Sequence, residues 1–366
     1  MNRTVDCGKT LLVDGPASVN VIAGKVRVFG SLIGNSNQIL VPEGKRLPFF
    51  VEEQATFHLS LGENSQIQEV HGDTIPESWV AAFEGLLRIR GRAPVVVMVI
   101  GSVDTGKSSL CTYLVNRLLS ENFRVAFLDG DLGQSVLGPP TTLAYAPVGN
   151  AVVDLSGLKA EEAFFVGATS PSENVARTIE GFTFLTAKAV KGAVDFVVVN
   201  TDGWVLGDDA VKYKVQLAEE LTPDIIVGVQ RNGELEPLMV KLDKFKKIAV
   251  ASPSSVKEKT REKRRSVRER GYAKYLTGAK MKKWRLSGLT LQYLCVGALQ
   301  NSRQESWRGL LLGLHDCKMK FLGIGVMQNV DWKTGTLKAL TAVDADPAYV
   351  VVGKVCLDEK LHEIHG

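Results

Sequence analysis

The sequence of 366 residues is poor in the residue types that form disulfides and metal sites. Its five cysteines form no C-x-x-C pair and are odd in number, which argues against a disulfide framework or a zinc site and favours thiols in a reducing compartment. The five histidines are equally dispersed. His58 lies in an alternating run and is expected on a strand face rather than at a metal.

Long apolar runs are also lacking. No run reaches the roughly 18 residues of a membrane span, and the first residues have no apolar stretch typical of a signal peptide. These absences predict a cytoplasmic protein, or a nuclear one if the source is a eukaryote, with no membrane partner. With 45% apolar residues, the chain can bury large cores, and its length predicts two or three domains.

Charge is distributed unevenly along the chain. The net charge is +4, yet residues 256–285 contain 13 lysines and arginines against 3 acidic residues. The remainder of the chain is therefore net acidic. One basic segment on an otherwise acidic protein predicts a binding site for a polyanion.

One stretch, residues 101–108, organises the chain. It matches the phosphate-binding pattern G-x-x-x-x-G-K-[ST] at every fixed position. The apolar run 95–100 before it is typical of a buried strand, and leucines at helical spacing follow it. Backbone N–H groups of such a loop bind phosphates, while its lysine and hydroxyl contact the β- and γ-phosphates and Mg²⁺. The predicted nucleotide-binding residues are Gly101, Asp104, Thr105, Gly106, Lys107, Ser108 and Ser109.

The chain before this loop is predicted to form a small β domain. Residues 1–72 contain short strand-like runs divided by glycine-rich turns, and strands are expected at 19–22, 25–30, 47–51 and 56–62. The connecting region 73–92 is predicted to hold a helix that runs to about Arg88. Thr74 would be its N-cap, with Glu77 completing a capping box.

Residues 93–284 alternate strand and helix patterns, which predicts a parallel sheet covered on both faces and a ligand at the carboxyl ends of its strands. Strands are expected at 95–100, 124–128, 163–166, 195–200, 224–229 and 247–252, and helices at 174–190 and 208–221. Residues 285–366 return to β patterns at 309–314, 319–326, 336–340 and 349–353. The predicted fold class is α/β, with a central P-loop NTPase domain between small N-terminal and C-terminal β domains.

A second cluster of functional residues follows the predicted strand 124–128. Asp129 and Asp131 lie in the sequence D-G-D-L-G-Q, where a strand delivers carboxylates beside the phosphate loop. Such carboxylates hold Mg²⁺ or position an attacking group, so Asp129 and Asp131, together with Ser108, are the predicted metal ligands. Asp131 could instead accept a proton from an attacking hydroxyl, and Asp129-Gly130 could be a simple turn.

Together these segments resemble a known family, the polynucleotide 5′-hydroxyl kinases of the archaeal, pre-mRNA-cleavage and ribosomal-RNA-processing type. Two further motifs carry the resemblance: T-D-G-W at 201–204 looks like the family's T-x-G-W clasp, and R-R-S-V-R at 264–268 looks like its R-x-x-x-R lid. The segment 165–171 matches another family region. The likeness covers almost the whole chain.

The resemblance implies transfer of the γ-phosphate of ATP or GTP to the 5′-hydroxyl of RNA, or possibly of DNA, with Mg²⁺ and with possible protein partners in RNA processing. It implies catalytic roles for Lys107, Asp131, Arg264 and Arg268, and acceptor binding by Thr169, Thr201, Trp204 and Gln134. The N-terminal domain would help to bind the donor base, with Lys45 or Arg46 near the family's basic position. An acidic partner expected near residues 8–12 is not evident in the sequence.

Each motif also has a simpler interpretation. Trp204 could be a core residue instead of a stacking platform for a base. The arginine-rich stretch could be a solvated charged helix, as most such runs are.

At the level of function, the alternatives are a nucleotide-binding scaffold with little turnover and a regulatory GTPase or ATPase. The guanine-reading motif N-K-x-D of many GTPases is missing, since Asn200 is followed by threonine.

Overall fold

The structure is a computed structural model that describes residues 1–34, 38–89, 94–294 and 307–364. Its contacts divide the chain into two compact units. The first contains residues 1–128, 147–158 and 186–260, and the second contains residues 129–146, 159–185 and 261–366. Among the described residues, no helix has both the length and the apolar character needed to cross a membrane.

The first unit begins with a β-sheet formed by β1 (Asn2–Val5), β2 (Lys9–Asp14), β3 (Ala17–Val28), β4 (Ser31–Ile33), β5 (Gln38–Val41), β6 (Arg46–Leu61) and β7 (Ile67–His71). Its order is β4-β3-β6-β2-β7, with β1 added to β6 and β5 to β3. The expected strand pairs at 19–30 and 47–62 are each one long strand, so the predicted breaks were wrong. Gly24 does not end β3, because irregular pairing with β6 around Ala23 absorbs it within the strand. His58 lies exposed on β6, as predicted.

The connecting helix α1 (Glu77–Leu87) starts later than predicted. Pro76 stands at its N-cap position and no side chain caps the helix, so the capping box of Thr74 was wrong. Proline supplies a fixed φ at a helix start without needing a donor. The buried face includes Trp79, whose indole Nε1 donates to the carbonyl of Ala251 at 2.9 Å. This bond ties the helix to the last strand of the central sheet.

The central elements are β8 (Val95–Gly101), α2 (Lys107–Ser120), β9 (Val125–Gly130), β10 (Thr142–Val148), β11 (Glu162–Phe165), α3 (Val175–Lys191), β12 (Phe196–Thr201), α4 (Asp208–Leu221), β13 (Ile225–Gln230), α5 (Glu236–Lys241) and β14 (Lys247–Ala251), with 3₁₀ turns at Leu155–Gly157 and Pro171–Glu173. In the first unit, β8 pairs in parallel with β12 and β13, and β13 with β14. β8 and β12 are buried along their whole length, as helix-covered parallel strands require. The predicted parallel strands are confirmed here.

The second unit departs from the predicted pattern. β10 was not predicted, and it pairs antiparallel with β11 rather than continuing a parallel series. The connection between them contains only a single 3₁₀ turn, Leu155–Gly157, and no crossover helix. A parallel neighbour would need such a crossover, so the chain turns back on itself.

The remainder of the second unit contains α6 (Arg261–Tyr275) and a second β-sheet: β15 (Lys280–Arg285), β16 (Thr290–Tyr293), β17 (Leu310–His315), β18 (Phe321–Asp331), β19 (Thr336–Thr341), β20 (Tyr349–Leu357) and β21 (Glu363–Ile364), with a 3₁₀ turn at Leu286–Gly288. Its order is β15-β19-β18-β17-β20-β16, with β21 added to β20. Tyr272 of α6 is buried with Phe165 of β11 and with side chains of this sheet in one core. Gly313 leaves room for the ring of Phe165, which would lie 2.4 Å from an added Cβ.

Candidate nucleotide and acceptor sites

The phosphate loop joins β8 to α2 as the sequence predicts. Lys107 is the first residue of α2 and is 6% exposed, and its Nζ donates to the carbonyl of Ser102 at 2.8 Å. The hydroxyl of Thr105 donates to the same carbonyl at 2.9 Å. Gly106 has φ +96°, and a Cβ there would lie 3.2 Å from Pro253. The loop is therefore folded around its lysine, with a glycine where no side chain fits.

The loop is braced by the chain that follows β14. Asp104 accepts the main-chain N–H of Lys259 on its carboxylate at 2.8 Å, and its carbonyl accepts from Arg231 Nη2 at 2.6 Å. The same stretch lines a cavity of about 490 Å³ together with the end of β13; its walls are Gln230, Arg231, Ala251, Ser252, Pro253, Ser254, Val256 and Glu258. A cavity of this size beside a phosphate loop has room for part of a nucleotide.

The acidic residue that sequence reasoning missed is Asp14. It lies at the end of β2 directly opposite Arg46 on β6, whose Nε and Nη2 donate to its carboxylate at 2.6 and 2.9 Å. Lys257 also pairs with this carboxylate, and Arg46 Nη1 reaches the carbonyl of Ser255 at 3.4 Å. Burial alone would raise the pKa of Asp14, but the hydrogen bonds from Arg46 and Lys257 outweigh it and lower the pKa.

Lys45, the other basic candidate, points to a different partner. Its Nζ pairs with Asp154 at 2.6 Å. Of the two expected donor-base residues, Arg46 is therefore the one joined to the segment beside the phosphate loop. The strand register decides this, because Arg46 is the first residue of β6 and pairs with Asp14, whereas Lys45 precedes the strand. That register was the only signal that could have identified Asp14 in advance.

The predicted clasp follows β12. Thr201 is fully buried and its hydroxyl donates to the carbonyl of Val99 at 2.8 Å, so this hydroxyl is used within the fold and acceptor binding by Thr201 stays a prediction. Gly203 packs on the phosphate loop, since an added Cβ would lie 2.5 Å from Val103. Trp204 is partly exposed and its ring stacks on Tyr213 with centroids 5.6 Å apart and planes at 21°. This partial exposure speaks against a core tryptophan.

The two carboxylates at the end of β9, Asp129 within it and Asp131 just after it, are held differently within the second unit. Asp129 is 1% exposed, and its Oδ2 accepts the N–H groups of Val136 at 2.6 Å and Leu137 at 3.3 Å and the hydroxyl of Ser135 at 3.2 Å. Its Oδ1 accepts the N–H of Asp131 at 3.4 Å. Both oxygens are thus used to shape the loop. The structure favours Asp129 as the organiser of this loop, and its role as a metal ligand stays a prediction.

Among the described residues, the Asp131 carboxylate accepts hydrogen bonds through one of its two oxygens. Its Oδ1 accepts the N–H groups of Gly133 at 3.1 Å and Gln134 at 2.9 Å, and within the described residues Oδ2 makes no hydrogen bond. The carboxylate is therefore oriented by main-chain donors with its second oxygen left for a proton or a cation. No cluster of three histidine, cysteine or carboxylate ligands exists in the part of the chain that the structure describes. Mg²⁺ needs no such cluster, because it usually keeps several waters and binds one or two carboxylates and substrate phosphates. The metal ligands therefore stay a prediction.

Two predicted acceptor residues lie against the Asp131 loop. A Cβ on Gly133 would lie 3.2 Å from the carbonyl oxygen of Thr169, so the two segments are packed together. The amide of Gln134 donates to the carbonyl of Arg264 at 3.1 Å, which joins the loop to α6. The second unit therefore brings Asp131, Gln134, Thr169 and Arg264 into one neighbourhood.

The basic helix α6 is firmly attached at its centre. Arg268 is 17% exposed and donates through Nε and Nη2 to both carboxylate oxygens of Glu363 on β21, each at 2.6 Å. Tyr272 donates to the same carboxylate at 3.1 Å, and Arg265 donates to the carbonyl of Glu363. Burial lowers the pKa of Arg268, but its hydrogen bonds to Glu363 outweigh this and raise the pKa. The helix that carries the predicted lid motif is, in this structure, docked on the C-terminal strand.

Comparisons with known proteins agree with this architecture. Residues 101–278 match the family model of the P-loop of the mRNA cleavage and polyadenylation factor CLP1. A polyribonucleotide 5′-hydroxyl-kinase of Pyrococcus abyssi is 34% identical over 209 residues, which are 57% of this chain and 57% of that protein. A protein of the same name from Methanocaldococcus jannaschii is 24% identical over 344 residues, or 79% of this chain and 94% of the relative.

Similarity extends to solved structures. The structure of wild-type Clp1p with a Pcf11p fragment superposes with a TM-score of 0.75 at 15% identity and covers 97% of both chains, which shows a shared fold and confirms the predicted fold class. The chain spans little more than half the length of the Pyrococcus relatives that it matches. The phosphate loop, the clasp and the lid segment all lie within the matched region. Over residues 101–278, just under half of the chain, this protein is similar to the CLP1 family model, and it shares sequence with archaeal polyribonucleotide 5′-hydroxyl-kinases.

Proposed function

We propose that this protein transfers the γ-phosphate of ATP or GTP to the 5′-hydroxyl of RNA with the help of Mg²⁺. The observation that carries the proposal is the carboxylate of Asp131, which two main-chain N–H groups orient while one oxygen is left unused among the described residues. A hydroxyl acceptor needs such a base or metal-holding group, whereas a passive nucleotide scaffold does not. The names of the relatives support RNA as the acceptor.

The phosphate loop would bind the donor. Lys107 would exchange the carbonyl of Ser102 for the β- and γ-phosphates, since an ammonium gains more from a phosphate than from a neutral carbonyl. The main-chain N–H groups at the start of α2 would add to this attraction. Bound Mg²⁺ would neutralise charge on the donor phosphates, with Ser108 as its ligand from the loop.

The cavity beside the loop would take the donor base. Asp14 and Arg46 lie next to the segment 253–258 that lines it. A carboxylate and a guanidinium offer both an acceptor and donors, so they can meet more than one purine edge. We therefore infer that donor-base selection depends on this pair, with Lys257 as a second cation on the Asp14 carboxylate.

The acceptor would be bound by the clasp and by the segment around Thr169. Trp204 offers a partly exposed indole, and base–aromatic stacking contributes about 1–3 kcal/mol whatever the base. The hydroxyl proton of the acceptor would pass to Asp131 as the oxygen attacks the γ-phosphorus and the bond to the β-phosphate oxygen breaks. Arg264 would stabilise charge on the transferred group. For Arg268, we propose that its bond to Glu363 holds the helix that carries Arg264.

The proposal is tested with labelled γ-phosphate and matched RNA and DNA oligonucleotides that carry a 5′-hydroxyl. Label should appear on the 5′ end of the RNA, and a 5′-phosphorylated RNA of the same sequence should accept none. Donor hydrolysis that is indifferent to the acceptor would point to a regulatory NTPase, and donor binding without turnover would point to a scaffold.

The neighbour that was solved with Pcf11p binds a protein partner. A partner for this chain is a separate proposal that needs its own binding assay.

A further inference from the structure

A fully buried ion pair lies directly behind the predicted clasp. The side chain of Lys214 on α4 is 0% exposed, and its Nζ donates to Asp202 Oδ2 at 2.7 Å and to the carbonyl of Asp202 at 3.1 Å. Asp202 itself is 5% exposed and comes two residues before Trp204. Charged groups are costly to bury, and apolar side chains of similar volume often give equal or greater stability. The pair therefore calls for a role beyond stability.

Asp202 connects this pair to the turn that presents the indole. Its Oδ1 accepts the main-chain N–H of Trp204 at 2.9 Å, and its Oδ2 accepts the hydroxyl of Tyr213 at 2.8 Å. One carboxylate thus fixes the backbone of the clasp and a ring on α4 at the same time. Because Asp202 accepts from Trp204 in the clasp and from Tyr213 on α4, a shift of the helix would move the clasp as well.

The ring of Trp204, which precedes α4, and the ring of Tyr213 on α4 form a layered stack. Lys214 Nζ lies 4.9 Å from the ring centroid of Tyr213, within cation–π range, and Tyr213 is 1% exposed. The ring of Tyr213 stacks on Trp204 at 5.6 Å. One face of the indole is therefore covered by a buried phenol, and the residue as a whole is partly exposed. An indole with a rigid backing loses little freedom when a base stacks on it.

We propose that Tyr213 and Lys214 are positioning residues for acceptor recognition. They set the plane of the Trp204 indole through Asp202, so that the terminal base of a 5′-hydroxyl oligonucleotide stacks on its outer face. Neither residue contacts the acceptor. The inference rests on the proposed kinase function. It predicts that loss of the network weakens acceptor binding and leaves donor binding unchanged.

The test compares three variants with the wild-type protein. Lys214→Met keeps the length of the side chain and removes the charge, Tyr213→Phe keeps the stacked ring and removes the bond to Asp202, and Tyr213→Leu removes the ring. The matched control is Arg124→Met, which breaks an exposed pair with Asp195 in the same unit. Acceptor KM, donor KM and kcat are measured for each protein, with folding checked by circular dichroism.

We expect Lys214→Met and Tyr213→Leu to raise the acceptor KM by roughly 10-fold or more, within the range for losing one stacked base. Donor KM should stay within about twofold, because the variants disturb only the indole on which the acceptor stacks. Tyr213→Phe should show a smaller increase, and Arg124→Met none. If folded Lys214→Met keeps a wild-type acceptor KM, the proposal is overturned. Should Lys214→Met fail to fold, Tyr213→Phe decides the matter: unchanged acceptor KM and indole spectra in that variant would equally overturn it.

A second readout separates this inference from the proposed function. The fluorescence of Trp204, taken as the difference from Trp204→Phe, is recorded while a short 5′-hydroxyl RNA is added without donor. Quenching in the wild type that is weakened in Lys214→Met supports the positioning role even if transfer is never detected. Wild-type protein that transfers no phosphate to any acceptor would refute the kinase function alone. Equal quenching in wild type and Lys214→Met would refute the positioning role alone.

Discussion

Replacing Glu363 by glutamine tests how the basic helix works. The change keeps the shape of the side chain but removes the charge that receives both hydrogen bonds from Arg268. Arg268 would then remain 17% exposed beside a neutral amide. Removing one partner of a fully buried pair costs 3–5 kcal/mol, and hydrogen bonds to charged groups contribute about 1.5–3 kcal/mol. Since this pair is not completely buried, we expect a loss of about 2–3 kcal/mol.

The kinetic consequence follows from the anchoring role of Arg268. If Arg268 acts by holding α6, Glu363→Gln and Arg268→Lys should lower kcat to a similar extent. A displaced helix would move Arg264 from its position, and a shift of about 1 Å can cost roughly 100-fold in rate. Arg264→Lys should lower kcat as strongly without lowering stability, because lysine lacks the planar fork but leaves the anchor intact.

The assay combines urea unfolding with turnover at saturating donor and acceptor. The raised pKa of Arg268 means that its charge contributes to stability below the ordinary arginine pKa and is lost only as pH rises above it, so one neutral buffer suffices. The control is Arg308→Met, which removes an exposed pair with Glu359 and should change neither quantity. Normal turnover of Glu363→Gln together with collapse of Arg268→Lys would refute the anchor and place Arg268 on the transferred phosphoryl group.

Other predictions concern single steps of the reaction. Lys107→Ala should lower transfer by about 100-fold or more in a folded protein, and a wild-type rate would remove the donor-site assignment. Asp131→Asn should lower kcat by roughly 100- to 10,000-fold while donor affinity, measured by equilibrium binding, changes little; transfer within a few-fold of wild type would contradict it. Trp204→Ala should raise the acceptor KM by roughly 5- to 150-fold, whereas unfolding would favour a core role. Neutralising Lys282 and Lys283 should weaken acceptor binding mainly at low salt, and an unchanged salt slope would show that β15 does not attract the polyanion.

Local patterns predicted the phosphate loop and the parallel strands well. A strand, a glycine-rich turn and a helix follow one another along the chain, so the fixed positions of the motif and the apolar run before it already contain the information. Gly106 and Lys107 lie where the motif places them.

The secondary structure was less predictable from the sequence where pairing between distant strands decided it. β3 and β6 run through residues that read as breaks, because pairing between the two strands outweighs a local glycine.

The partners of the charged side chains were decided by the tertiary structure. Arg264 and Arg268 look equivalent in the sequence, yet only Arg268 meets Glu363, 95 residues further along the chain. Asp14 became visible as the partner of Arg46 through strand register alone. Helical spacing places Lys214 on the same face of α4 as Leu217 and Leu221, but only the packed structure shows Asp202 as its partner. The sequence by itself determined which chemical groups are present and the local turn that holds the phosphates. The packing of distant segments determined which groups are held by partners and which remain for a ligand, because burial and pairing of charge are properties of the whole fold.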